Sequence, residues 1–302
     1  MLIGNTESQN LLRSYLEKAV EGSLNVPAFY ILSGPAHIGK STFVQELIGS
    51  LLGNYAASDF LMIRDFSQQL GKKHSLKIEY DKSSETSKTL MSEYNYQDIG
   101  VREINAWLQQ SFIGKMKIVF IENIERIVPA AANAFLKSCE EPLPHRIIIA
   151  STSHTAQLLD TILSRALLLH FNELSPQQLE KFADEHQIFP QNLPLKQLVC
   201  TMSMGKPGQL LTTYALLKER EDLQTQFSSL IPLLTEKKEI NKAFMILKWF
   251  KNEGILESFL DGWIAYCEMH NLSKQWARWL KVKKMMKSTV NGENLLLYGL
   301  LD

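Results

Sequence analysis

The sequence predicts an α/β domain built on a parallel sheet, followed by an all-helical C-terminal part. Short apolar runs rich in strand formers alternate with amphipathic helical patterns up to residue 171. A glycine loop, Gly34-Pro-Ala-His-Ile-Gly-Lys-Ser41, joins the first apolar run to a helix. Beyond Asn172 only helical periodicity remains.

The elements follow in order. Leu11 to Ala19 reads as an amphipathic helix, with Leu12, Tyr15, Leu16 and Ala19 on one side. Phe29-Tyr-Ile-Leu32 is a strand of the kind buried on both faces of a parallel sheet. Ser41 to Leu52 is a helix that Gly53-Asn54 stops. Residues 66 to 98 are mostly polar and read as a surface excursion, with one strand at Leu76-Lys-Ile-Glu-Tyr80. Val101 to Phe112 carries Ile104, Trp107 and Leu108 at helical spacing. Lys117-Ile-Val-Phe-Ile121, Arg146-Ile-Ile-Ile-Ala150 and Leu167-Leu-Leu-His-Phe171 are three further strands. Ala130 to Cys139 is a helix that Glu140-Glu-Pro142 ends. In Ser175-Pro-Gln-Gln178 a capping serine, a proline and a glutamine three residues on mark a helix start. Lys206-Pro207-Gly208 marks a turn, and long helical patterns run on from Glu221. Domains are expected over 1–171, 172–220 and 221–302.

Composition excludes several classes. Of 302 residues, 45% are hydrophobic and 21% charged, enough apolar material for a sizeable core. Thirty-two basic residues balance thirty-two acidic ones, so the chain as a whole is not an electrostatic glove for nucleic acid or membrane. Cys139, Cys200 and Cys267 are odd in number and far apart, which argues against a disulfide framework or a cysteine zinc site. The seven histidines lack metal-ligand spacing. The N-terminus lacks a basic region followed by an apolar one, so no signal peptide is expected. No run of about 18 apolar residues appears, so no membrane span is expected. A reduced, cytoplasmic protein fits these features.

The glycine loop matches the P-loop pattern in full. A strand ends, the chain turns back, and a helix begins, so successive backbone N–H groups surround phosphates. Gly34, Pro35, Ala36, His37, Ile38, Gly39, Lys40, Ser41 and Thr42 form this nucleotide-binding set. Lys40 reaches the β- and γ-phosphates in such loops, and Ser41 places its hydroxyl on Mg²⁺. His37 fills a variable slot and reads as a loop residue. The cofactor implied is ATP with Mg²⁺.

Enzymes of this class hold Mg²⁺ with an acid at the end of a second buried strand. Here Ile118-Val-Phe-Ile121 leads into Glu122-Asn123. Glu122 has one methylene more than the aspartate expected there and still reaches a metal shell; it also suits a solvated strand end. Asn123 stands where a carboxylate base is expected and cannot serve as one. Such a base is worth about 10²–10⁴ in rate, so slow hydrolysis or none is expected.

Four segments carry a family resemblance: Ile3-Gly-Asn5 with the first helix, the P-loop, Ala131-Ala-Asn-Ala-Phe-Leu-Lys-Ser-Cys-Glu-Glu-Pro142, and Thr161-Ile-Leu-Ser-Arg165. Together they resemble bacterial clamp-loader subunits of the AAA+ class. The likeness is to the delta-prime type of DNA polymerase III, with the gamma/tau type a near relative, and it is strong over residues 1 to 215. It implies a P-loop AAA+ module with a parallel sheet, a small helical lid and a helical collar. It implies a heteropentamer with gamma/tau-type and delta-type subunits that loads a sliding clamp on primer–template DNA. It also implies that Arg165 acts as an arginine finger in trans, stabilising charge on a neighbour's nucleotide. Thr152 and Ser153 match the sensor 1 position, although a hydroxyl capping a strand end reads nearly as well.

The chain departs from the family pattern at three places. The usual Ser-Arg-Cys reads Ser164-Arg165-Ala166. Residues 53 to 110 contain no cysteine, so the zinc module of many relatives is not expected. The lid motif reads Gly205-Lys-Pro-Gly208-Gln209, without the sensor 2 arginine of active subunits, and Lys206 precedes a proline as a turn residue would. Two other functions stay open: an active gamma/tau-type ATPase, and a scaffold that holds no nucleotide. The basic segment from Ser273 to Lys287 suits a nucleic-acid surface, but Trp276, Trp279, Leu280 and Lys283 lie at helical spacing, which favours an amphipathic collar helix.

Overall fold

The computed structural model describes residues 4–23, 25–65, 78–79, 101–127, 135–136, 138–236, 239–252, 256–269, 271–286 and 292–300. They fall into two compact units, Met1–Asn172 and Glu173–Asp302.

In the first unit, α1 (Thr6–Val20) buries Leu12, Leu16 and Ala19 of the predicted stripe, while its fourth member, Tyr15, is half-buried. Strand β1 (Phe29–Ser33) is buried at every position and leads through the glycine loop into α2 (Lys40–Leu52). A short α3 (Ala56–Asp59) precedes β2 (Phe60–Asp65), a strand absent from the sequence reading. A two-residue β3 (Ile78–Glu79) lies within the expected Leu76–Tyr80 strand; the rest of residues 66 to 98 lies outside the described residues. Helix α4 (Val101–Gln109), β4 (Lys117–Ile121), β5 (Arg146–Thr152), α5 (Asp160–Leu163) and β6 (Leu167–His170) complete the unit. Of the expected Ala130–Cys139 helix, residues 135–136 and 138–139 are helical and the others lie outside the described residues.

The strand order is β3-β2-β4-β5-β1-β6. Five strands run parallel, and β3 pairs antiparallel at the edge beside β2. Alternate side chains of each strand point to opposite faces, which divides the core in two. Tyr30, Leu32, Ile118, Phe120, Ile147 and Ile149 pack with residues of α1 and α2. Phe29, Ile31, Val119, Ile121, Ile148 and Ala150 pack on the other face with Ile104, Leu108 and Phe135. Both faces are covered by helices, which is why these strands are uniformly apolar rather than alternating.

Among its described residues the second unit has helices and no strand. Helix α6 (Pro176–Glu185) opens with the expected capping box: Ser175 accepts from the Gln178 amide and Gln178 accepts from that of Ser175. Then come α7 (Leu193–Met202), α8 (Pro207–Glu219), α9 (Glu221–Glu236), α10 (Ile240–Asn252), α11 (Leu256–Met269), α12 (Ser273–Met286) and α13 (Gly292–Leu300). Arg220 separates α8 from α9, and α7 lies along α11. Phe227, Phe250 and Phe259 form an aromatic cluster at the centre. On α12 the buried positions are Trp279 and Val282, while Trp276 and Leu280 are half-buried. Lys283 pairs with Asp261 of α11, so part of the basic face is committed to packing.

Candidate functional site

Register brings the expected nucleotide residues to one edge of the sheet. Ser33, the last residue of β1, is aligned with Thr152, the last of β5. Ile121 of β4 is aligned with Ala150, and the Glu122 amide continues the ladder by donating to Ile63 O at 2.9 Å. The P-loop, Glu122 and Thr152 therefore share the C-terminal edge of the parallel strands, where α/β folds place their ligands.

The loop itself is tightly held. The Gly34 amide donates to Thr152 O at 3.2 Å, and the Phe171 amide donates to Ser33 O at 2.7 Å. A Cβ on Gly34 would collide with the Phe171 carbonyl, with its carbon at 3.0 Å, so the residue must be glycine. Gly39 has φ 97° immediately before α2, a conformation that turns the chain into the helix. Pro35 and Gly39 are half-buried, Ala36 and His37 are exposed, and Ile38 is buried in the core beneath. His37 has φ 63°, a loop conformation. Ser41 is half-buried and Thr42 exposed in the first turn of α2.

Lys40 is 7% exposed. Its Nζ donates to Gly34 O at 2.6 Å and to Pro35 O at 2.8 Å. Burial pushes its ammonium down to about 8, against the opposing pull of Glu125 and Glu122. The N-terminus of the 13-residue α2 adds a positive partial charge at the same place.

Asn123 sits in the left-handed region, φ 52° and ψ 53°, and starts a single 3₁₀ turn over Ile124–Arg126. That turn brings Glu125, which the sequence reading passed over, under the end of β5. Its Oε1 accepts from the Ser153 amide at 3.2 Å and lies 3.5 Å from His154 Nδ1. Thr152 is fully buried, and its Oγ1 accepts from the His154 amide at 3.1 Å, the geometry of a hydroxyl capping a strand end.

Arg165 is not brought to this edge. It lies just before β6, whose first residue, Leu167, is aligned with Tyr30 near the start of β1. The remaining length of β1 separates it from the P-loop edge, on the order of 10 Å at strand rise. Arg165 pairs with Glu140 and donates to Thr161 O at 2.8 Å and Ser164 Oγ at 3.2 Å. Lys206 stands at the start of α8 with its Nζ 3.5 Å from Glu173 Oε1.

A family model described as DNA polymerase III, delta subunit matches residues 8–175. The chain belongs to the DNA polymerase III delta subunit family. Among curated relatives, subunit delta' of Haemophilus influenzae DNA polymerase III is 29% identical over 182 residues, 54% of each protein. Subunit delta' of Bacillus subtilis is 34% identical over 74 residues, 24% of this chain and 22% of that protein. The chain thus spans about half the length of the first relative and less of the second. Both curated relatives are delta' subunits, and this chain is similar to each over the stretch matched. A Thermotoga maritima RuvB variant superimposes with a TM-score of 0.51 at 14% identity, over 82% of this chain and 76% of that one. That likeness is one of fold alone. Among the described residues no helix is long and apolar enough to cross a membrane, and no group of three or more His, Cys, Asp or Glu is placed to hold a metal.

Proposed function

We propose that this delta'-type subunit binds ATP with Mg²⁺ at its P-loop, turns it over slowly or not at all, and offers Arg165 to the nucleotide of a neighbouring subunit. The observation that supports this reading most is the separation of Arg165 from Lys40, at opposite edges of one sheet. An arginine there does not serve its own P-loop; it would leave its pair with Glu140 to reach a neighbour's nucleotide.

The residues present suit the nucleotide. The buried Lys40 ammonium and the α2 N-terminus meet at the end of β1, and both favour a phosphate chain. Ser41 and Glu122 would hold Mg²⁺, which supplies charge neutralisation on the phosphates when bound. Asn123 brings no carboxylate to the end of β4, and Thr152 and Ser153 stand at the sensor 1 position.

In this reading the chain works within a heteropentamer of gamma/tau-type and delta-type subunits, in the cytoplasm, loading a sliding clamp on primer–template DNA. Residues 172–220 act as a helical lid and 221–302 as the collar. Steady-state ATPase of the reconstituted loader tests it. Arg165→Ala is expected to abolish DNA-stimulated turnover while the pentamer still assembles. Normal turnover in that variant overturns the finger assignment. Turnover near about one per second by the isolated chain, lost in Lys40→Ala, favours instead an active gamma/tau-type ATPase.

A further inference from the structure

Asn123 cannot act as a carboxylate, yet a carboxylate does stand in this site, two residues further on. The Glu125 side chain is 7% exposed. One oxygen is committed to the Ser153 amide, whereas Oε2 is buried and has no hydrogen-bond partner among the described residues. Buried polar atoms are nearly always partnered, and a carboxylate oxygen left without a donor is costly. Such an atom has room for a donor that the described residues do not supply. The Ser153 that Glu125 binds follows Thr152, whose carbonyl oxygen accepts from the Gly34 amide at 3.2 Å, so the carboxylate stands beside the strand end that holds the P-loop.

We propose that Glu125 is a positioning residue for the terminal phosphate of a bound nucleoside triphosphate, with Oε2 accepting a hydrogen bond from a water held on that phosphate. The inference rests on the nucleotide-binding reading above. The loop that follows β5, fixed through the Ser153 amide, keeps the carboxylate in place. Lys40, which reaches the β- and γ-phosphates in P-loops, sets the end of the phosphate chain that Glu125 faces.

Binding of fluorescent ATP and ADP analogues to the full chain, with Mg²⁺, tests this. In Glu125→Gln the amide oxygen stays with the Ser153 amide. The NH₂ group then sits where Oε2 was and cannot accept. The variant is expected to lose roughly tenfold in ATP affinity, the worth of one hydrogen bond to a charged group. ADP affinity is expected to change less than about twofold, because the diphosphate lacks the group that Glu125 serves. A merely structural role would weaken both nucleotides alike.

Glu125→Asp keeps the charge and is expected to retain part of the preference for ATP. Equal ATP affinity in the wild type and Glu125→Gln overturns the inference and leaves the nucleotide reading standing. Loss of both nucleotides in Glu125→Gln and Glu125→Asp also overturns it. Absence of saturable binding by the wild type overturns the nucleotide reading, and this inference with it.

Discussion

The Lys40 ammonium donates to the carbonyl oxygen of Gly34 at 2.6 Å, so the P-loop lysine is bonded to the first residue of its own loop. A phosphate chain must draw Lys40 away from that carbonyl and from Pro35, and only the charged amine does this well. Burial has already brought Lys40 down to about 8. ATP affinity is therefore expected to fall about tenfold between about pH 7 and 9, following the protonated fraction of Lys40. Fluorescent-analogue titrations across that range would show it, and Lys40→Met should abolish both binding and its pH dependence. Stability moves the other way. The folded-state value lies below the ordinary 10.5, so between about 8 and 10.5 the unfolded chain carries the extra proton. The fold is thus stabilised as pH rises through that window. A flat affinity profile would show that the Lys40 charge is not used.

Asn123 has a local reason to be asparagine as well as a catalytic consequence. At φ 52° and ψ 53° it occupies a conformation that asparagine and glycine tolerate and most residues do not. Asn123→Gly is expected to be nearly neutral in stability, and Asn123→Ala to cost about 1 kcal/mol in a denaturant titration. Asn123→Glu, which restores a carboxylate in sequence, carries the same strain and is expected to leave the isolated chain's ATPase close to the wild-type level. A large gain in turnover would show that the side chain, not the backbone, limits this site.

Much of the first unit was legible because β1, β4 and β5 are short apolar runs buried on both faces, each beside a recognisable helix. Strand β2 was not. Phe60-Leu-Met-Ile63 is apolar but short, and it follows a 3₁₀ turn and a four-residue helix rather than a clear periodic segment. Such a run has no periodicity that separates strand from helix. The P-loop was readable because its chemistry is local in sequence. Glu125 was not, because its burial depends on β4 lying beside β5 and on the turn at Asn123. The one available signal was an acid three residues after Glu122, a spacing that a helical turn places on one side. The sheet edge on which Arg165 stands was likewise set by register, Leu167 beside Tyr30, and register is not written in the Thr161–Arg165 motif. On α12 the periodicity pointed to a buried stripe, but the packing centres it on Trp279 and Val282, with Trp276 and Leu280 at its margin.

Helices α7 and α11 of the second unit meet at a close contact. Gly262 of α11 faces Met202 at the end of α7, and a Cβ there would overlap the Met202 side chain and approach its Cα to 2.8 Å. The glycine is buried, next to the fully buried Trp263, so a larger side chain there presses into the core. Gly262→Ala is expected to destabilise the unit by about 1–3 kcal/mol, the usual range for overpacking. Met202→Ala removes the Cγ that the new methyl would overlap but leaves Cα and Cβ, each 2.8 Å away. The cost of Gly262→Ala should therefore shrink in that background without vanishing, with a coupling of about 0.5 kcal/mol or more. Trp249, Trp263, Trp276 and Trp279 all lie in this unit and only Trp107 in the other, so tryptophan fluorescence during denaturant unfolding reports mainly on it. Additive effects of the two substitutions would show that α7 and α11 are not held by this contact.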